Sequence, residues 1–255
     1  MSISKQIEMP SGAIFEISEF KVKHIDKLLT NGNADEVYNK IAKDLVVKVV
    51  DYGPYPEEES KKLFTSNLLA GDKLAIFLVA RILSNPDEPL NSSVKCKCGN
   101  TESFEVSPKD IELIPYPEEA IEIYMNGNNN KFTIGENVYH THLATIDEGS
   151  QYKYAKKEKK SRRMTLMLAT MLDSIEGVDN SDKLDWLSEL SIAEQTEIMN
   201  KLDEFEGGVE TQFTTDCSNC EEELEVNIPF LEQIISLESK KKQKRKKTTK
   251  KIRFL

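Results

Sequence analysis

Apolar positions along the chain change their spacing several times, and each change predicts an element. Residues Gly12 to Phe20 alternate, with Ile14 and Glu16 on one side and Phe15 and Ile17 on the other, which predicts an opening strand. From Asn33 the spacing widens. Val37, Ile41, Leu45 and Val49 recur every fourth residue, and Asn33 with Glu36 three places on has the form of a capping box, so a helix is expected there. The punctuation Tyr52-Gly53-Pro54-Tyr55-Pro56 stops it. A second helical region begins near Glu57. Asp72 is expected to open its strongest part, Leu74 to Leu83, and Ser84-Asn85-Pro86-Asp87-Glu88-Pro89 to end it.

Val94-Lys95-Cys96-Lys97-Cys98-Gly99 and the alternating Ser103-Phe104-Glu105-Val106 then read as a hairpin. Ala120 to Ile146 has strand character, with Ile121, Ile123 and Met125 alternating before the turn Asn126-Gly127-Asn128-Asn129-Asn130 and the run Val138 to Leu143. Helix returns from Tyr152 to Ile175, with an apolar stripe through Met164, Leu168, Met171, Leu172 and Ile175 ending at Gly177. Ser191 and Glu194 form another capping box. Ile198, Leu202 and Phe205 supply that helix's inner face, and Gly207-Gly208 closes it. A second cysteine hairpin, Asp216-Cys217-Ser218-Asn219-Cys220, leads into Glu223 to Ile228. The fold class expected is α+β: helical segments flank a small β-rich centre, and two cysteine hairpins join in one zinc-ribbon-like site. The expected divisions are 1–114 with the first knuckle, a β-rich insertion at 115–150, 151–239 with the second knuckle, and a disordered basic tail at 240–255.

Charge sharpens that division. Ten Lys or Arg and no acid lie between Lys240 and Arg253; removing them from the 34 bases leaves 24 against 44 acids. An acidic body with a basic tail differs from the even basic field of a general nucleic-acid binder, and the tail suits phosphates or an acidic protein groove. The start MSISKQIEMPSGAIFEI lacks the basic residues and apolar run of a secretory signal. The longest apolar stretch, Ala75 to Ala80, is far short of the roughly 18 residues that span a bilayer, so a soluble intracellular protein is expected.

In that setting four cysteines argue for metal binding over disulfides. A thiolate pair on a tight turn presents two sulfurs, and two such knuckles give the tetrahedral sulfur set that zinc prefers. Cys217-x-x-Cys220 has the usual spacing. Cys96-x-Cys98 is one residue tighter, and Gly99 gives it backbone room. The four cysteines are therefore expected to share one structural zinc per chain; unrelated thiols are the alternative. Thioredoxin-like redox chemistry is disfavoured because Cys217 to Cys220 lies between strands and not at a helix start. His140 and His142, two apart on an expected strand, have no obvious carboxylate partner and are read as surface or packing residues, leaving His24 as the remaining histidine. No nucleophile elbow, phosphate loop or dinucleotide fingerprint occurs, so neither catalysis nor a small-molecule substrate is expected.

The order of Gly71-Asp72 opening a helix that ends in Arg81-Ile82-Leu83-Ser84, Cys96-Lys97-Cys98-Gly99, a central β segment, and Gly208-Val209 before Cys217-Ser218-Asn219-Cys220 resembles a phage family. It is similar to the baseplate hub assembly proteins of contractile-tailed, T-even phages and their zinc-containing tail-assembly relatives. The resemblance covers roughly residues 10–238. It implies a non-catalytic late protein that helps build the central hub through contacts with other hub and tail proteins. Its place would be the cytoplasm of the infected host during assembly, with the virion tail baseplate as a further location. Cys96, Cys98, Cys217 and Cys220 are the site positions it matches. A zinc-ribbon nucleic-acid-binding regulator anchored by the basic tail is the alternative, and the acidic body disfavours it.

Overall fold

In the computed structural model, residues 3–24, 26, 34–146, 160–229 and 233 are described. Two strands open the chain, β1 (Ser4–Glu8) and β2 (Ile14–Ser18), paired antiparallel through Ile7 and Phe15. Helix α1 (Ala34–Leu45) follows, with Val37, Ile41 and Leu45 buried as their spacing requires; Asn33 lies outside the described residues. The helix does not reach Val49. Val46–Asp51 forms strand β3 on the free side of β2, because Val46, Val47, Val49 and Val50 are β-branched and favour the pleated state.

The region from Glu57 is helical in pieces: a 3₁₀ turn at Glu57–Glu59, a π turn at Leu63–Asn67, then helix α2 (Ala70–Ser84). Almost every side chain of α2 from Gly71 to Arg81 is buried, which its near-continuous apolar sequence permits only at the centre of a fold. It packs against α1, β2 and the chain near Gly208. The main core, with Phe15, Ile17, Ile41, Leu45, Leu69, Ile76, Phe77 and Leu78, surrounds it and takes in Val209 and Ile228 from the far end of the sequence. At one contact the backbones almost touch. A Cβ on Gly71 would stand 2.3 Å from the Gly207 carbonyl oxygen, so both glycines are needed for close approach.

The hairpin β4 (Leu90–Lys95) and β5 (Thr101–Val106) leaves this core, and β6 (Leu113–Ile114) returns to pair with β10 (Gly208–Val209). The segment read as a strand with Ile121, Ile123 and Met125 is instead helix α3 (Glu118–Met125). Pro117 and the acids Glu118 and Glu119 favour a helix start, and Ala120, Ile121 and Tyr124 share the face turned to the core. Strands β7 (Asn130–Ile134) and β8 (Asn137–Thr141) follow as expected.

Helix α4 (Lys160–Met171) ends four residues before the pattern suggested; its expected start at Tyr152 lies among 147–159, outside the described residues. Leu172–Ile175 is not its last turn but strand β9, which pairs with β8 and completes a three-stranded sheet. Helices α5 (Lys183–Glu189), which the pattern did not announce, and α6 (Ile192–Asp203) join α4 over it. Together they enclose a second core of Phe132, Tyr139, Leu168, Leu172, Ile175, Leu187, Ile198 and Leu202. The capping box at α6 is present: Ser191 Oγ accepts from Glu194 N at 3.3 Å, and Glu194 Oε2 accepts from Ser191 N at 2.7 Å. Ser191→Ala is expected to cost about 1 kcal/mol in urea unfolding. An unchanged midpoint would mean that the cap carries nothing. The hairpin β11 (Gln212–Asp216) and β12 (Glu223–Asn227) ends the described strands, with β12 packed against β4.

Candidate metal centre

Each cysteine pair sits in the loop of a hairpin whose strands are in strict register. The β4–β5 ladder ends at Lys95 opposite Thr101, leaving Cys96 to Asn100 as the loop; β11–β12 ends at Asp216 opposite Glu223, leaving Cys217 to Glu222. The tighter spacing of the first pair thus reflects a loop one residue shorter. Equivalent bonds close both: Cys96 N donates to Asn100 O and Cys217 N to Glu222 O, each at 2.9 Å. The residue before each closing position has a left-handed backbone, Gly99 at φ 95° and Glu221 at φ 60°. Glycine meets that demand freely and glutamate at some cost.

The two loops face each other. Cys96 Sγ and Cys220 Sγ are 3.5 Å apart, Cys98 Sγ and Cys217 Sγ 3.6 Å, and all four sulfurs lie within 4.8 Å of one another. A disulfide requires about 2.05 Å, whereas four sulfurs each about 2.3 Å from a central zinc stand about 3.8 Å apart. The donor set fits a metal ion that takes four thiolates. Cys96 and Cys217 are buried, Cys98 and Cys220 exposed.

Polar groups hold the loops in this pose. Glu102 Oε1 accepts from Ser218 N and Oγ, both at 2.7 Å, and from Asn100 Nδ2 at 2.6 Å, so one carboxylate bridges both knuckles. These bonds, the Ser218 hydroxyl first, hold its pKa below the usual carboxylate range. Lys97 Nζ lies 2.8 Å from Glu222 Oε1 across the gap, and behind the loops Ser92 Oγ donates to Asn227 O at 3.0 Å. The Phe104 and Phe213 rings meet with centroids 5.4 Å apart.

The sulfurs also receive hydrogen bonds, from Cys98 N to Cys96 at 3.5 Å and from Asn219 Nδ2 to Cys98 at 3.6 Å. The Asn100 backbone N–H, then the Asn219 amide, lower the Cys98 thiol to about 6. Cys96 moves the other way. The Cys98 N–H favours its thiolate, but burial and proton sharing with the other three sulfurs push it up. Four thiols this close do not all ionise unaided, and a central cation is what stabilises four thiolates together.

Asn100, Glu102, Asn219 and Glu222 were not singled out from sequence. Their position beside each knuckle, as amides or acids flanking the cysteines, is the signal available. Among the described residues no other group of three or more His, Cys, Asp or Glu is placed to hold a metal. His140 and His142 do have carboxylate partners, contrary to the sequence reading: His140 Nε2 lies 3.2 Å from Glu176 Oε1, and His142 Nδ1 lies 2.6 Å from Asp173 Oδ1. Strand β9, with Asp173, and Glu176 just after it lie alongside β8, a pairing that local pattern does not reveal. Lys240–Arg253 lies outside the described residues.

A second polar cluster lies in the main core. Asp72, fully buried in the first turn of α2, accepts from Ser11 N at 3.0 Å, Ser11 Oγ at 2.5 Å and Tyr55 Oη at 2.6 Å. Tyr55 Oη accepts in turn from Leu69 N at 3.2 Å, and Tyr116 Oη accepts from Gly71 N at 2.9 Å. Burial raises the Asp72 carboxyl to about 6 against the pull of these donors. These bonds join the β1–β2 turn, the loop after β3 and Tyr116 before α3 to the start of α2.

Compared with known proteins, residues 1–236 match the model of the family described as T4 bacteriophage base plate protein. No curated protein and no solved structure matches.

Proposed function

We infer the function of this chain from the T4 bacteriophage base plate protein family, to which it belongs by a match spanning residues 1–236. It is a non-enzymatic structural protein that works in the central hub of the tail baseplate, through contacts with other hub and tail proteins. One zinc, bound by Cys96, Cys98, Cys217 and Cys220, clamps its two halves together. The observation that carries the zinc reading is the convergence of four sulfurs within 4.8 Å, on hairpins more than a hundred residues apart.

Thiolates are soft donors that select zinc in a reducing cell, and a closed four-sulfur set leaves no position for substrate or activated water. Zinc there supplies structure. No helix of the described residues is long and apolar enough to cross a membrane. That accords with assembly in the host cytoplasm and residence in the tail, where the basic run Lys240–Arg253 would meet acidic groups of a neighbouring protein.

Removing the protein from an infecting phage is expected to stop tails at the hub stage while heads and free wedges accumulate. Normal tails would overturn the hub role, and a general fall in late transcription would favour the nucleic-acid-binding alternative. Mass spectrometry of purified tails tests residence in the particle. Elemental analysis of the reduced protein is expected to return one zinc per chain.

A further inference from the structure

The four cysteines differ in exposure, and two of their sulfur contacts cross from one knuckle to the other. Two sulfur contacts run between the knuckles, Cys96 to Cys220 at 3.5 Å and Cys98 to Cys217 at 3.6 Å. Each of these pairs joins one buried cysteine to one exposed one: residues Cys96 and Cys217 are buried, Cys220 and Cys98 exposed. That division suits a two-step oxidation, in which the exposed sulfur meets the oxidant and the buried sulfur, already in van der Waals contact, captures it. The knuckles are also held by bonds that do not involve sulfur, from Glu102 to Ser218 and from Lys97 to Glu222. The sulfurs would need to close by only about 1.5 Å to reach disulfide length.

We propose that the four-cysteine centre is a convertible clamp, which peroxide turns from a metal site into two disulfides across the knuckles, Cys96–Cys220 and Cys98–Cys217. In each half-reaction the exposed thiol, Cys220 or Cys98, attacks hydrogen peroxide and becomes a sulfenic acid, releasing one water. The buried thiol, Cys96 or Cys217, then displaces the hydroxyl from that sulfur, releasing a second water and forming the S–S bond. Two thiols lose two electrons and two protons, and one peroxide is reduced to two waters. With all four sulfurs consumed, a bound metal leaves. The junction that the metal held is then held covalently, so the clamp survives a move from reducing to oxidising surroundings.

This proposal rests on the sulfur separations and shares only its residues with the zinc reading. Zinc is therefore measured in the same sample before oxidation, so that the two can fail separately. The full chain is treated with stoichiometric hydrogen peroxide, alkylated under denaturing conditions and digested with trypsin, which cuts after Lys97 and so separates Cys96 from Cys98. Both resulting peptides are expected to be disulfide-linked to the peptide bearing Cys217 and Cys220. Paired variants give the direction. Cys98→Ser with Cys217→Ser should still cross-link through Cys96 and Cys220, at least tenfold faster than Cys98→Ser with Cys220→Ser, which leaves one buried sulfur on each knuckle. A Cys217–Cys220 disulfide within one knuckle, equal rates in the two variants, or sulfinic acids without cross-links would overturn the proposal.

Discussion

If zinc occupies the four-cysteine centre as proposed, stripping it is expected to release the two hairpins from each other while the main core stays folded. Among the described residues, the apolar cluster at the centre has Cys96, Cys217 and Leu224 as its buried members, with Val94 beside it. So little buried surface gives a few kcal/mol at most, while four-sulfur zinc sites contribute on the order of 10 kcal/mol. The exposed Lys97–Glu222 pair adds little. Hydrogen exchange before and after chelation under reducing conditions is the measurement. Amides of Leu90–Val106 and Gln212–Asn227 should lose protection by several orders of magnitude, while those of Ala70–Ser84 keep theirs. Cys217→Ser should reproduce the effect without a chelator. Unchanged protection in the hairpins would mean that their packing, and not a metal, holds them.

Replacing Asp72 by alanine should be the most damaging single change outside the cysteines. The substitution leaves Ser11 N–H and the hydroxyls of Ser11 and Tyr55 in a dry interior without their acceptor, at a cost of about 1–3 kcal/mol for each group that finds no substitute. Relief of a buried charge offsets part of this, so a net loss of about 2–4 kcal/mol is expected from denaturant unfolding. The wild-type group also confers a pH dependence. Its folded value of about 6 lies above the unfolded value of about 3.9, so its stabilising share is complete below pH 4 and declines as pH rises through 6. Two units correspond to about 3 kcal/mol, of which roughly half falls between pH 5 and 8. Asp72→Asn should flatten that decline relative to wild type. A parallel pH profile for the two proteins would mean that the carboxyl titrates at its ordinary value.

The features legible in the sequence are those encoded within a few residues. The two knuckles declare themselves by spacing, and the cap at Ser191 by its partner three places on. What escaped depends on distant partners or on a change of period inside an apolar run. Val49 falls four residues after Leu45 and so extends a helical stripe on paper, but four β-branched valines in Val46–Val50 take the chain into β3. Ile175 extends the stripe of α4 in the same way, although Leu172–Ile175 is recruited by β8, more than thirty residues earlier. Strand β1 shows almost no pattern because it is largely exposed, and its register with β2 defines it. Around the sulfurs, Glu102 and Ser218 are 116 residues apart, a distance over which a single sequence carries no pairing signal.

That separation also sets a timetable for synthesis. Cys98 and Cys217 are 119 residues apart, so a ribosome adding about 5–20 residues per second makes the first knuckle roughly 6–24 s before the second exists. Over that interval the nascent chain holds two thiols of a four-thiol centre. Its main core also waits for Val209 and Ile228, and the first turn of α2 has no Gly207 against which to seat Gly71. The amino-terminal half therefore cannot finish folding as it emerges; completion waits until residues 207–228 close against what was made before them.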